Sequence, residues 1–336
     1  MIVFLKRHVL ASAFTFALIS VTGAADPLPS WKEGDSKRVI ISFVEKVTNE
    51  SSPHFVQPAD RIATFDNDGT LWCEQPIYTQ LAFALDRVKE LATEHPEWKT
   101  EQPFQAALEN DLDSIAALGE EGLVELVMAS HAGVSVTEFQ ETVTDWFEEA
   151  RHPRFKRRYT ELSYQPMLEL LVYLRANGFK TYIVSGGGIE FMRPMTQSVY
   201  GIPPEQVVGS MIKTEYVIKD GKPILMRRAE VDFVDDKSGK PIGINKFIGK
   251  RPIAAFGNSA GDREMLEWTS AGDGSRLMML VFHDDDEREF AYGPANGLPD
   301  SKIGAFPESL MDEAKAKEWH VISMKNDWSK VFAFDE

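Results

Sequence analysis

Two carboxylates, Asp66 and Asp68, stand where an apolar run ends, in Arg61-Ile62-Ala63-Thr64-Phe65-Asp66-Asn67-Asp68-Gly69-Thr70. In extended backbone the period of two puts both side chains on one side of the chain. Acids held side by side repel unless a cation lies between them or one keeps its proton. The pair is therefore a candidate for metal binding and acid–base chemistry. Gly69 permits backbone conformations closed to other residues, and Thr70 adds a hydroxyl and an N–H beside the acids. An Asp-Gly hairpin turn would account for Asp68 and Gly69 but has no need of Asp66. A calcium loop aligned on Gly69 fails at both ends, with Thr64 in place of the first ligand and Gln75 in place of the closing glutamate.

The elements that position these acids are legible from periodicity. Residues 62–65 predict a short buried strand, and the carboxyl edge of such strands is where open α/β sheets bind ligands. From Trp72 to about Ser163 apolar residues recur at helical spacing, as in Tyr78, Leu81, Leu85 and Val88, and in Phe139, Val143 and Phe147. The stretch is too long for a connection between neighbouring strands, so it reads as an inserted helical bundle. Strands and helices then alternate: helix 165–177, strand 179–184, helix 190–200, a strand opening at Val207, a hairpin turning at 219–222, helix 240–248, strand 252–256, helix 263–268, strand 277–282, helix 307–319 and strand 320–323. That alternation predicts a parallel sheet wrapped on both faces. Strand 179–184 runs into Ser185-Gly186-Gly187-Gly188, a hydroxyl and unencumbered N–H groups ahead of a helix, which suits a phosphate. Ile183 stands where a serine-nucleophile elbow requires glycine.

Phe65-Asp66-Asn67-Asp68-Gly69-Thr70 resembles the first motif of the haloacid dehalogenase superfamily, in its phosphoserine-phosphatase-like branch with a helical cap. Ser185 and the glycines after it resemble the second motif. Gly257-Asn258-Ser259-Ala260-Gly261-Asp262 resembles the fourth, with Asn258 in place of its first acid. The third motif is a lysine opening a helix; Lys240 in Ser238-Gly239-Lys240-Pro241 resembles it best, with Lys246 as a rival.

The resemblance spans about Arg61 to Val281. It implies an α/β fold, a Rossmann-like doubly wound parallel sheet with an inserted α-helical cap. The core would be residues 26–71 and 164–336, and the cap 72–163. It implies hydrolysis of small phosphomonoesters, with Asp66 attacking phosphorus to form an aspartyl-phosphate and Asp68 serving as acid, then base. Thr70, Ser185, Gly186 and Lys240 would bind phosphate. Mg²⁺ would be held by Asp66, Asp68 and Asn258, with Asp262 completing the site. An amide oxygen can ligate Mg²⁺ but brings no charge. Carboxylates at both 66 and 68 favour a phosphatase over a dehalogenase. Glu74 stands near the place of a substrate-reading acid in relatives, and Arg157, in the basic island Arg151-His152-Pro153-Arg154-Phe155-Lys156-Arg157-Arg158-Tyr159, could hold a substrate anion. Phosphoserine or phosphocholine would fit by analogy. The alternatives are a phosphotransferase of the same fold and a non-catalytic periplasmic binder of phosphorylated ligands.

Charge narrows the partners. The chain of 336 residues carries a formal charge of −16; residues 1–25 hold Lys6 and Arg7 and no acid, so their removal leaves −18. That surface argues against nucleic acid and anionic membranes and for a small phosphorylated metabolite met by local cations. The single cysteine, Cys73, rules out an internal disulfide and a multi-cysteine zinc site. Lys6, Arg7 and His8 precede an apolar run from Val9 to Val21, then Thr22-Gly23-Ala24-Ala25. This layout predicts a cleaved signal peptide, residues 1–25, a periplasmic or secreted protein and no membrane span after cleavage. Oligomeric state is left open.

Overall fold

The computed structural model describes residues 26–335; the expected signal segment lies outside them. No helix among the described residues is long and apolar enough to cross a membrane.

Seven strands form one sheet in the order β4-β3-β2-β1-β5-β6-β7. They are β1 (Ile62–Phe65), β2 (Lys180–Gly188), β3 (Val207–Lys219), β4 (Lys222–Phe233), β5 (Ala254–Gly257), β6 (Leu277–Phe282) and β7 (His320–Ser323). Every neighbouring pair is parallel except β3 with β4. All four residues of β1 are buried, as a central strand covered on both faces requires. The chain leaves β1 for β2 on one side and later returns to β5 on the other. The crevice at the carboxyl end of β1 is thus the point where strand order reverses, the favoured ligand site of such sheets.

Helices cover both faces of this sheet. They include α1 (Asp35–Thr48), which precedes β1. Between β1 and β2 lies the helical cap: α2 (Thr79–Leu91), α3 (Phe104–Glu109), α4 (Leu112–Ala117), α5 (Gly119–His131) and α6 (Val136–Glu149). Ser135 starts α6 with a capping box: its hydroxyl accepts from the Glu138 N–H while Glu138 accepts from the Ser135 N–H. Phe139, Val143, Trp146 and Phe147 of α6 join Phe83 of α2 in the main core. Leu85 and Val88 of α2, Phe104 of α3, Ile115 of α4 and Leu126 of α5 form a separate cluster around Trp98. α7 (Gln165–Ala176) leads into β2, and α8 (Ile189–Tyr200) follows it.

Three local outcomes depart from the periodicity reading. The glycine run is not a loop: β2 stays extended through Gly188, which pairs with Ser210 of β3 across a bulge. The strand opening at Val207 does not stop short but continues into the hairpin, because β3 leaves the parallel sheet and pairs with β4 over its outer half. That hairpin reaches the cap, where the Gly133 N–H donates to the Arg227 carbonyl at 3.0 Å and the Arg227 N–H to the Val134 carbonyl at 3.0 Å. The helix over 240–248 is also irregular, with α9 (Gly239–Gly243) widening into a π turn over Ile244–Ile248. Beyond β5 lie α10 (Arg263–Ser270), then α11 (Glu308–Ala316) between β6 and β7.

Candidate active site

Asp66 and Asn258 follow β1 and β5, and Ser185 lies near the carboxyl end of β2; these three strands are adjacent, so the topology alone gathers the residues at one edge. Lys240 arrives from α9. Its Nζ donates to Asp66 Oδ1 at 2.7 Å, to Asp262 Oδ1 at 2.6 Å and to the Val184 carbonyl at 3.0 Å, committing all three ammonium protons. Lys240 and Asp262 are buried, and Asp66 nearly so. Burial works against the lysine's charge, but Asp262 and Asp66 outweigh it and keep the ammonium protonated. One cation cannot satisfy all its acidic neighbours. Burial first, then the charge of Asp262, holds the Asp66 carboxyl above the usual carboxylate range against the pull of Lys240. Burial likewise pushes Asp68 up to about 6, although the Trp72 indole N–H donates to its Oδ1 at 2.9 Å.

That excess of buried negative charge beside hard oxygen donors fits a divalent cation. Asp66 Oδ2 takes no hydrogen bond from the protein among the described residues, and Lys240 holds only Oδ1. With the Asp68 carbonyl and the Asn258 amide, the donor set is of the kind Mg²⁺ accepts.

The Asn258 side chain is held on both sides: its Oδ1 accepts from the Thr70 hydroxyl at 3.2 Å and its Nδ2 donates to Glu74 Oε1 at 2.8 Å. The Tyr292 hydroxyl donates to the same Glu74 oxygen at 2.7 Å. Burial, with Asp68 and Asp66 adding to it, keeps Glu74 well above the usual carboxyl range despite Tyr292. Gly69 makes this packing possible. Its φ is +69°, and a Cβ there would stand 2.0 Å from Asn258 Nδ2 and 2.4 Å from Glu74 Oε1. Gly69→Ala is expected to displace both side chains and lower turnover about 100-fold, measured as kcat/KM on an aryl phosphate. Turnover within threefold of wild type would count against the close fit of this loop.

Behind the loop, His283 Nε2 meets the Gly69 carbonyl at 2.8 Å and its Nδ1 meets Glu289 Oε2 at 3.1 Å. A carbonyl can only accept, so Nε2 is the donor to Gly69.

The structure corrects several expected roles. Thr70 is fully buried, and its hydroxyl is spent on Asn258, so it braces that side chain from behind and does not face the cavity. Asp262 has no oxygen to spare for a metal. Its Oδ1 takes Lys240 and its Oδ2 accepts the Asn258 and Ser259 N–H groups at 2.9 and 3.0 Å. Glu74 borders the cavity, but the oxygen that makes its contacts is turned to Asn258 and Tyr292. Arg157 lies elsewhere, over the Phe334 ring and paired with Glu161, because the basic island packs against the tail and neighbouring acids. Lys246 sits over Phe233 and Phe247, which leaves Lys240 as the lysine among the acids.

Ser185 and Gly186 do border the cavity, and the Ser185 hydroxyl accepts from the Gly187 N–H at 3.1 Å. Two residues that periodicity passed over support them. Gln80 of α2 accepts the Gly188 N–H at 2.7 Å, and its amide contacts His131 Nε2 at 3.0 Å. Burial, then Arg227, pushes His131 down to about 3, so its ring is neutral and can accept from Gln80. Only the fold joins these distant positions; no spacing in the chain marks them.

Asp235, within the field of Lys240, is fully buried and has no well-formed hydrogen bond to either carboxylate oxygen among the described residues. Burial is the main cause that pushes its carboxyl up to about 7. An unfolded aspartate ionises near pH ~3.9. Between these values the folded state holds the extra proton, so this group makes stability fall as pH rises from about 4 to about 7. Asp235→Asn is expected to gain on wild type by on the order of 1 kcal/mol per pH unit across that window. Urea denaturation of the metal-free proteins tests it, and parallel pH profiles would refute it.

The model of the haloacid dehalogenase-like hydrolase family matches residues 63–267. The chain belongs to that family. This haloacid dehalogenase-like hydrolase is similar in structure to a conserved protein of unknown function from Anaerococcus prevotii, at 17% identity and a TM-score of 0.53, covering 86% of this chain and 91% of the other. A protein of unknown function from Bordetella pertussis aligns at 16% identity and a TM-score of 0.48, covering 78% and 98%. A phosphoserine phosphohydrolase-like protein from Francisella tularensis aligns at 14% identity and 0.34, covering 66% and 88%. No curated protein matches the hydrolase significantly.

Proposed function

We propose that this hydrolase cleaves small phosphomonoesters through an aspartyl-phosphate on Asp66, with Mg²⁺ as cofactor, and that it does so after export from the cytoplasm. The observation that carries the reading is the convergence on one crevice of the buried Asp66, the half-buried Asp68, the buried Lys240 and a serine followed by glycines.

Asp66 is the group suited to attack phosphorus, since Lys240 fixes its Oδ1 and its other oxygen is free of protein partners among the described residues. Asp68 has a carboxyl raised to about 6, close to what proton transfer at neutral pH asks for. It would protonate the departing alkoxide, then take the proton of the water that opens the aspartyl-phosphate. Ser185 and the main chain at Gly186 would receive phosphate oxygens. Lys240 would act chiefly by offsetting charge on Asp66, because its protons are already engaged there and at Asp262. Mg²⁺, held by Asp66, the Asp68 carbonyl and Asn258, would offset charge on the transferring phosphoryl group. Glu74 and Thr70 would hold Asn258 in place for that duty.

Phosphate release from p-nitrophenyl phosphate tests the reading. Turnover is expected with Mg²⁺ and is expected to fall at least 100-fold in excess EDTA, returning when Mg²⁺ is restored. Release that ignores EDTA would remove the metal from the proposal, and no release at all would remove the phosphatase.

A further inference from the structure

We propose that the alcohol carried by the substrate is bulky and apolar, so that the preferred substrates are monophosphates of alkyl or aryl alcohols. The inference rests on the phosphatase reading above and concerns what lies beyond the phosphate.

The crevice at Asp66 and Asp68 opens into a cavity of about 510 Å³ between the cap and the β3–β4 hairpin. That is the size of a pocket for a substantial organic molecule. Its walls include Leu81 of α2, Val124, Val127 and Met128 of α5, and Ile212 and Val231 of the hairpin. On α5 the spacing 124, 127, 128 is one helical face. It differs from the face of Leu126, which is fully buried in the cluster around Trp98. Val124, Val127, Met128, Ile212 and Val231 belong to no core cluster and stay partly or well exposed. Five large apolar side chains thus line a cavity without serving the packing of the fold.

The acids on the same walls disfavour a second anion on the substrate. The cations among the lining residues are Lys240 and Arg227. Lys240 is engaged by two acids. Arg227 is buried, donates from Nε to the His131 carbonyl at 2.8 Å and lies over the Phe139 ring. The acids Asp66, Asp68, Glu74, Glu190, Asp232, Asp236 and Asp262 also border the cavity. A second phosphate or a carboxylate on the substrate would meet seven acids against one cation, Arg227, that has no acidic partner among the described residues, whereas an alkyl chain would cover apolar surface.

A series of n-alkyl phosphates isolates this effect, since charge and leaving-group chemistry barely change from ethyl to octyl. The expected result is that kcat/KM rises roughly threefold per methylene, about 100-fold from ethyl to hexyl phosphate, before levelling off. Val127→Asp, and in a second variant Val231→Asp on the exposed hairpin, should cut the hexyl-to-ethyl ratio at least about tenfold. An enzyme that hydrolyses p-nitrophenyl phosphate but gives a flat alkyl series overturns this inference alone. One that hydrolyses neither overturns the phosphatase reading and this inference with it.

Discussion

Asp66→Asn is expected to abolish turnover, with a loss on the order of 10⁴ or more in kcat, because an amide cannot form the ester to phosphorus. The change should spare the fold. Asn keeps an oxygen for the Lys240 ammonium, and Lys240 keeps Asp262 at 2.6 Å. It should even relieve the site, since burial and Asp262 make the ionised form of Asp66 costly. The check is phosphate release with Mg²⁺ alongside a urea denaturation curve of the metal-free proteins. Inactive protein with an unchanged or later midpoint supports a nucleophile. Turnover within tenfold of wild type would remove Asp66 from that role.

Lys240→Met is the second large effect, and it falls on stability as well as rate. Methionine keeps an unbranched side chain but leaves Asp66 and Asp262, both with little or no exposure, without their shared cation. Removing one partner of a buried ion pair typically costs about 3–5 kcal/mol. Loss of a charge aligned with the reacting group should lower kcat by roughly 10²–10³ as well. The stability cost has a pH signature. With the ammonium gone, the Asp66 carboxyl is held still further above the range of an unfolded aspartate, so the variant should recover stability on acidification relative to wild type. Denaturation at pH 5 and pH 8 measures this. Lys246→Met serves as the control and should stay within about 0.5 kcal/mol, as a substitution away from the acid cluster. Equal losses from the two variants would contradict the assignment of Lys240.

Much of the frame was readable because it obeys local rules. The acid pair announced itself by ending an apolar strand, and β1 lies where the residues 62–65 predicted it. The helical stretch between β1 and β2 followed from apolar spacing. Ser185, Lys240 and Asn258 stand out in the chain because each lies near the end of a strand or the start of a helix. Arg157 misled because a cluster of cations looks the same whether it faces a substrate or, as here, a phenylalanine and a glutamate. Thr70 and Asp262 were placed correctly in the chain but one layer too near the chemistry. Which way a side chain turns depends on partners 188 residues away for Thr70 and 22 for Asp262.

The sequence by itself determined the order of strands and helices, the acids at the end of β1 and the kind of reaction they suit, since these rest on period, composition and short motifs. The tertiary structure decided what those motifs touch. It set Glu74 and Tyr292 against Asn258, tied Gln80 and His131 to the glycine run, and brought α5 over the β3–β4 hairpin to enclose an apolar cavity. Such contacts join residues far apart in the chain, and only burial of a shared core brings them within a few ångströms; no local pattern can encode a distance that packing alone creates.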